Sequence, residues 1–301
     1  MSSFTRLTTA ACTVFSVIFA ADAATPWQIA LDANVTVTQN AYSKSWIGSE
    51  KGAVSWASKL NFVAERQFSP IFNHRNTLKL AFGQTKTQNE DRSWGDLLKS
   101  TDLVDFESLQ RFTVSKDIEP FVALRIISQF VDGTDTAQNH YLNPFSLFES
   151  LGIAHTFVNK SAANWNGRFG GAVNQLITRY AHDEAHTGSY TRTVNSAGLE
   201  LVNELKATMR NGVLDFSSLF TLYEALVSSE AEKTKGTPQE DFWRYPDINW
   251  ENILSVNITR YLMINMTAQL LYDRELHENT RIKEVLALGL TYKFNNAAPA
   301  R

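Results

Sequence analysis

Two histidines in the middle of the chain have a spacing that could serve metal chemistry. His182 and His186 are four residues apart, and on a helix this spacing puts both imidazoles on one face. In zinc peptidases a glutamate directly follows the first histidine, whereas here Asp183 occupies that place and Glu184 comes one residue late. Because no third ligand is nearby in the sequence, we interpret the segment as a solvated polar loop and predict no metal and no cofactor.

A third histidine, His155, alternates in step with Leu151, Ile153 and Phe157. If this segment is a strand, His155 shares its apolar face. Such a position fits either an interface residue or the histidine of a lipid-active hydrolase that works with a serine and an asparagine or aspartate. The sequence alone places no such partners beside it, so we favour the interface residue and predict no catalytic residue.

A larger set of charged side chains alternates with apolar positions and carries both signs. If the alternating segments form a barrel, these side chains point into its lumen. They would then either line a narrow hydrophilic passage that selects small polar or charged solutes, or pair with one another and fill the lumen. The predicted lumen-lining residues are Lys59, Glu65, Lys79, Asp105, Glu107, Arg111, Arg125, Glu200, Glu204, Lys206, Glu251, Arg281 and Lys283.

The last strand shows the alternation over the longest range. Between residues 281 and 294 the even face is interpreted as carrying only large apolar groups, and the odd face as small, polar or cationic. A period of two predicts a β-strand whose two faces meet different environments. The apolar set is Ile282, Leu286, Leu288, Leu290, Tyr292 and Phe294. Lipid outside and water inside explain this pattern better than a core and a surface.

Eleven further segments alternate in the same way, which gives twelve predicted strands. The first three cover residues 27–38, 54–68 and 77–87, and the others start near residues 102, 121, 150, 168, 197, 213, 250 and 262. Short connections are predicted at residues 69–76, 115–119, 159–166, 210–212 and 260–261, after each even-numbered strand. Longer ones are predicted after every odd-numbered strand, the eleventh included. The sequence therefore predicts an all-β fold, a transmembrane antiparallel up-and-down barrel of about 12 strands with both termini on the short-turn side.

A soluble sandwich or lipocalin-like barrel would also alternate, with its apolar face inside. The predicted strands repeatedly exceed the roughly 5 to 6 residues usual in soluble proteins. Hydrophobic residues make up 44% of the chain, yet the mean hydropathy is slightly negative, because apolar and polar positions alternate. Aromatic residues cluster at strand ends, as in membrane-interface girdles. The predicted girdle is Trp27, Trp56, Trp165, Trp250, Tyr272, Tyr292 and Phe294.

The amino terminus indicates export. Arg6 precedes an apolar and small-residue stretch over residues 7–21, and Ala21 and Ala23 suit a signal peptidase. We predict a signal peptide over residues 1–23, a barrel over 24–294 and a short tail over 295–301. The only cysteine, Cys12, falls within the predicted signal, so the mature chain would have no thiol. A net charge of -3 excludes the basic field that nucleic-acid binding needs.

Several motifs resemble an uncharacterised family of bacterial outer-membrane proteins classified as a domain of unknown function. They lie at residues 46–56, 99–106, 143–152 and 249–273. The resemblance implies a β-barrel of Gram-negative outer membranes, and it implies neither an activity nor site residues. The tail after Phe294 departs from barrels that end at the terminal aromatic residue.

These observations lead to one functional expectation and two alternatives. We expect a narrow channel or binding barrel for small polar solutes in the outer membrane, with lipids and the barrel-assembly machinery as partners. A structural barrel with a closed lumen and interacting loops is the main alternative, and a lipid-active hydrolase at His155 is the least favoured. Asn203, on an otherwise apolar strand face, marks either an oligomer contact or the membrane interface, and we favour the interface.

Overall fold

The computed structural model describes residues 25–40, 42, 50–115, 118–134, 138–180 and 189–296. The predicted signal peptide, residues 46–48 and 182–186 and most of the tail lie outside these ranges. Fourteen strands and one short 3-10 helix, Phe242–Arg244, are present in the described part. The strands are β1 Gln28–Asn40, β2 Ala53–Ser69, β3 Phe72–Thr87, β4 Leu98–Phe112, β5 Glu119–Ser128, β6 Val131–Asp132, β7 His140–Tyr141, β8 Phe145–Lys160, β9 Ala163–Tyr180, β10 Tyr190–Met209, β11 Leu214–Ser228, β12 Asp247–Asn257, β13 Leu262–Asp273 and β14 His277–Asn295.

Twelve of the strands form one closed barrel in which each strand pairs with its neighbours along the chain. β6 and β7 form a separate hairpin inside the β5 to β8 connection, and β14 pairs antiparallel with β1 to close the barrel. The prediction of a twelve-stranded antiparallel meander is therefore confirmed. Both ends of the barrel meet at one rim, where Asn296 Nδ2 donates to the Trp27 carbonyl oxygen at 3.2 Å.

The strand faces differ in the way that the alternation predicts. On the outer wall Leu151 is 67% exposed and Leu286 is 64% exposed, whereas Asp105 and Glu200 on the inner wall are each 6% exposed. An apolar outside and a polar, packed inside is the arrangement of a barrel that spans a membrane. Within the described part of the chain, no helix has the length and apolar character needed to cross a membrane.

The connections alternate between short and long with one exception. Residues 70–71, 161–162, 210–213 and 258–261 form short turns at the rim that holds both ends of the barrel, and the short connection from Phe112 to Glu119 lies at the same rim. The eleventh connection was predicted to be long, and this is wrong, since residues 274–276 join β13 to β14 and Asp273 pairs with His277. β14 starts at His277, before the predicted start at residue 281. Its first residues are polar, so the alternation from which the strand was predicted is not visible there.

Other strand starts were predicted too late for the same reason. β3 begins at Phe72 rather than near residue 77, β8 at Phe145 rather than near 150, and β10 at Tyr190 rather than near 197. At the starts of β3 and β10 most outward positions are polar, and in β8 the outward Glu149 and the inward Phe148 interrupt the alternation. The even face of β14 is also not wholly apolar, because Glu284 pairs with Ala268 on the same face as its apolar neighbours.

Glycines allow the wall to bend where three adjacent strands meet. Gly152 of β8 pairs with Gly170 of β9, and a Cβ atom on Gly170 would lie 2.1 Å from the Leu151 carbonyl oxygen. Gly198 of β10 sits beside a register shift. Glycines at such close approaches are typical of tight bends at barrel corners.

Candidate functional site in the barrel lumen

The register aligns the predicted lumen charges in rows across neighbouring strands. Lys79 on β3 pairs with Asp105 on β4, and Glu107 on β4 pairs with Arg125 on β5. Arg125 Nε donates to Asp105 Oδ1 at 2.9 Å and Arg125 Nη2 donates to Asp105 Oδ2 at 2.8 Å. Two parallel bonds between a guanidinium and a carboxylate fix both groups in one orientation.

A second cluster lies nearer the short-turn rim. Arg111 on β4 is 3.5 Å from Glu65 on β2 and 3.5 Å from Glu119 on β5. Asn73 Nδ2 also donates to Glu65 Oε1 at 2.9 Å. One arginine thus bridges carboxylates on both sides of its own strand.

Other ion pairs cross the lumen and join distant parts of the wall. Arg75 on β3 contacts Glu204 on β10 at 3.4 Å, although four strands lie between them around the barrel. Lys206 Nζ lies 2.6 Å from Glu204 Oε1. Arg168 on β9 forms an ion pair with Glu107 on β4, and its guanidinium lies 5.7 Å from the Phe121 ring. Opposite walls are therefore tied together by side chains.

These side chains leave little free space at this height. The cavity between them has a volume of about 70 Å³, whereas pockets that hold a small-molecule ligand measure roughly 300–1,000 Å³. The cavity at this height is thus far smaller than one that holds a sugar-sized solute. The charged groups fill the lumen, as in the second of the two arrangements that the sequence allowed.

Contacts also span the lumen at other heights. Lys283 Nζ on β14 donates to Thr101 Oγ1 on β4 at 2.6 Å. The Phe148 and Tyr223 rings meet edge to face at 5.5 Å. Near the short-turn rim, Lys293 Nζ lies 2.6 Å from Asp215 Oδ2.

Some predicted lumen residues do not take part in these ion pairs. Lys59, Lys79 and Glu251 lie in register with the inward positions, and none has an ion pair within 4.0 Å among the residues that the structure describes. Glu200 is 6% exposed, and its Oε2 atom has no hydrogen-bond partner there. The predicted inward residue Arg281 lies near the start of β14 and pairs with Leu271 of β13.

Sequence reasoning missed both arginines of the cross-lumen pairs. Arg75 lies in residues 69–76, which were predicted to be a turn but belong largely to β3. Arg168 was taken as the start of a strand and not assigned to a face. Extending the alternation back from Thr77 and from Gly170 would have placed both inward.

The predicted girdle residues that belong to strands lie at outward positions of the register. Trp56 and Phe82 have ring centroids 6.0 Å apart, and Trp250 Nε1 donates to Ser218 Oγ at 3.1 Å. Trp165 Nε1 donates to Asn203 Oδ1 at 2.7 Å, so this outward asparagine of β10 is paired within the chain. Trp27 precedes β1, Tyr272 pairs with Ile248, and Tyr292 and Phe294 pair with Ala33 and Leu31.

The remaining histidine candidates lie on the outer wall or outside the described residues. His155 faces outward, and its ring lies 4.7 Å from the Phe157 ring. Residues 182–186 lie outside the described ranges. In the part of the chain that the structure covers, no group of three or more His, Cys, Asp or Glu side chains could hold a metal ion.

Residues 37–133, about a third of the chain, match the family model described as "Protein of unknown function (DUF3078)". The predicted resemblance to an uncharacterised family is thereby confirmed over that range, which contains the motifs at residues 46–56 and 99–106. No curated protein has a significant match to the chain.

The chain is also similar to solved outer-membrane proteins. An outer-membrane channel from Pseudomonas putida F1 matches with 12% identity and a TM-score of 0.42, over 89% of this chain and 95% of that chain. The translocator domain of the autotransporter NalP from Neisseria meningitidis matches with 9% identity and a TM-score of 0.37, over 89% and 88%. OprB from Pseudomonas putida matches with 8% identity and a TM-score of 0.31, over 89% and 94%.

Proposed function

We propose that this protein is an outer-membrane β-barrel that forms a gated, narrow passage for small ions and polar solutes. The observation that carries the proposal is the cross-lumen pairing of Arg75 with Glu204 and of Arg168 with Glu107. In this arrangement the passage is closed. Separation of these pairs would connect the polar inner surfaces above and below them.

The chemistry of the network supports a gate over a permanent plug. A buried ion pair gives little net stability compared with apolar side chains of similar volume. A lumen that only needed filling is served equally well by apolar packing, as Leu109, Phe121, Ala123 and Ala154 already provide in part. Charged pairs can instead exchange partners once water enters, because water solvates each separated charge.

We infer that the chain is exported and inserted into the outer membrane. The predicted signal over residues 1–23 would direct export, and the barrel-assembly machinery of a Gram-negative bacterium would insert the chain into the outer membrane. The short turns would then face the periplasm and the long connections the exterior. The loops at 129–144 and 229–246 would limit entry to the lumen.

A closed barrel that acts through its surface loops is the second candidate, and one observation favours it. The connection between β5 and β8 is tightly built around Asn143, which is 1% exposed. Asn143 Nδ2 donates to Asp132 Oδ2 at 2.7 Å, and the Arg179 backbone N–H donates to Asn143 Oδ1 at 2.7 Å. An ordered surface of this kind is suited to contact another envelope component.

Ion efflux from liposomes separates the two candidates. The refolded protein is inserted into vesicles loaded with potassium ions or with glucose, and release is followed over time. A gated narrow passage releases potassium slowly and retains glucose, and the Arg75→Ala/Glu204→Ala variant releases potassium faster. If neither protein releases potassium above empty vesicles, the closed barrel is the correct reading.

A further inference from the structure

Five polar side chains lie on the outer wall near the short-turn rim, where a lipid-facing wall is expected to be apolar. Arg66 on β2 pairs with His74 on β3, which pairs with Gln110 on β4; Asn76 pairs with Ser108 in the next row. Their strand neighbours Glu65 and Arg75 belong to the lumen network, so these five face outward. We call them the outer polar patch.

Hydrogen bonds hold the patch together. Gln110 Nε2 lies 3.1 Å from His74 Nδ1, and Asn76 Nδ2 lies 2.8 Å from His74 Nε2. Gln110 Nε2 also donates to Ser108 Oγ at 3.0 Å. Both ring nitrogens of His74 are therefore occupied, and the histidine positions its neighbours instead of binding a ligand itself.

Arg66 is the charged member of the patch, and aromatic rings hold it. Its guanidinium carbon lies 4.7 Å from the Phe68 ring centroid and 5.9 Å from that of Trp27. Its Nε atom is buried without a hydrogen-bond partner, and no carboxylate lies within 4.0 Å of it in the described part of the chain. Several lumen arginines, such as Arg125 and Arg168, pair with a carboxylate. Arg66 is thus a fixed cation without a counter-ion.

The patch lies at the depth of lipid headgroups. Phe68 and Phe72 flank the two-residue turn at 70–71, and Phe72 stacks on Phe112 with centroids 5.2 Å apart. Aromatic and basic side chains together mark the membrane interface. Above the patch, Phe62, Leu78 and Phe106 pair in one apolar row that can lie along acyl chains.

We propose that the outer polar patch binds the phosphate of an anionic glycerophospholipid, with Arg66 as its cationic ligand. The guanidinium matches the geometry of a phosphate and presents its donors in a fixed fork. The acyl chains pack on the apolar row of Phe62, Leu78 and Phe106. The site is independent of the lumen and remains whether the passage opens or not.

Native mass spectrometry of the refolded barrel in detergent tests this site. The probes are dioctanoyl phosphatidylglycerol, dioctanoyl phosphatidylcholine and inorganic phosphate, each titrated against the wild type and Arg66→Gln. A matched control is Arg260→Gln, because Arg260 also stacks on an aromatic ring, 4.8 Å from the Tyr261 centroid, at the same rim. Arg66→Lys keeps the charge but lacks the fixed set of donors of a guanidinium. It replaces Arg66→Gln in the comparison if that variant does not fold.

We expect phosphatidylglycerol to bind the wild type and Arg260→Gln alike, and to bind Arg66→Gln about fivefold more weakly, the effect of one basic side chain near anionic lipid. Arg66→Lys is expected to lie between them, and phosphatidylcholine to bind more weakly than phosphatidylglycerol. Equal binding to the wild type and Arg66→Gln would overturn the proposal. Inorganic phosphate competing fully with the lipid would also overturn it, since the patch would then be a free-anion site.

Discussion

Arg75 of β3 lies 3.4 Å from Glu204 of β10, across the lumen from it. Four strands lie between β3 and β10 around the barrel wall. Their side chains are only 17% and 25% exposed, so the pair is partly withdrawn from water. A contact of this length ties two distant parts of the wall together across the lumen.

The first prediction concerns the stability of this pair. Arg75→Met leaves Glu204 beside Lys206 alone, and Glu204→Gln leaves Arg75 without a carboxylate. Each single change is expected to lower the free energy of unfolding by about 3 kcal/mol, whereas the double variant loses less than the sum, since Arg75 is no longer present to be left without its carboxylate. Urea unfolding in lipid vesicles measures the free energy of unfolding of the wild type, the two single variants and the double variant. Additive losses would mean that the two residues do not interact.

The second prediction concerns the paired hydrogen bonds between Arg125 and Asp105. Lysine at position 125 keeps the charge but can make only one of the two bonds. Arg125→Lys is therefore expected to cost about 1.5 kcal/mol of unfolding free energy. The same urea measurement applies, with Arg244→Lys on the exposed 3-10 helix as the control. An unchanged stability of Arg125→Lys would contradict the bidentate geometry.

A third prediction links loop order to pH through Glu230, whose side chain is 3% exposed. Burial raises the pKa of Glu230, but hydrogen bonds from Lys233 and Arg192 outweigh it and lower the pKa below its ordinary value of 4.5. The ionised carboxylate thus stabilises the loop at residues 229–246 fully above pH 4.5, and this contribution is lost as the pH falls through the lowered value.

The loop is therefore expected to become more sensitive to proteolysis below pH 4.5, as measured with an acid-active protease. Glu230→Gln is expected to be sensitive at every pH, with a loss of about 1 kcal/mol. Glu232→Gln, at an exposed position, should behave as the wild type. A loop in Glu230→Gln that resists cleavage like the wild type at pH 7 would refute this account.

The fourth prediction concerns Trp165 and Asn203 on the outer wall. Trp165→Phe keeps an aromatic ring but removes the indole N–H that donates to Asn203 Oδ1 at 2.7 Å. We expect a loss of about 1 kcal/mol in unfolding free energy. The double variant Trp165→Phe/Asn203→Leu should recover most of it, because no polar group remains unpaired. No recovery in the double variant would mean that the hydrogen bond is not the cause.

The barrel could be predicted from sequence because lipid imposes a strict period of two on every spanning segment. The strand count follows from that period, and so does the inward direction of Lys79, Asp105 and Arg125. The pattern fails where strands leave the apolar region, which is why β3 was predicted to start after His74 and Arg75. Which charges meet across the lumen depends on the curvature of the closed sheet, and no local pattern in the sequence encodes it.

Single-channel recording of the refolded barrel in a planar bilayer tests the gated passage most directly. The wild type is expected to be closed most of the time with brief, small openings, and Arg75→Ala/Glu204→Ala to stay open longer with changed ion selectivity. Lys51→Ala/Glu90→Ala, which removes an exposed ion pair between two other loops, should record as the wild type. A wild type with large, steady conductance, or a double variant at Arg75 and Glu204 as silent as the wild type, would contradict the account.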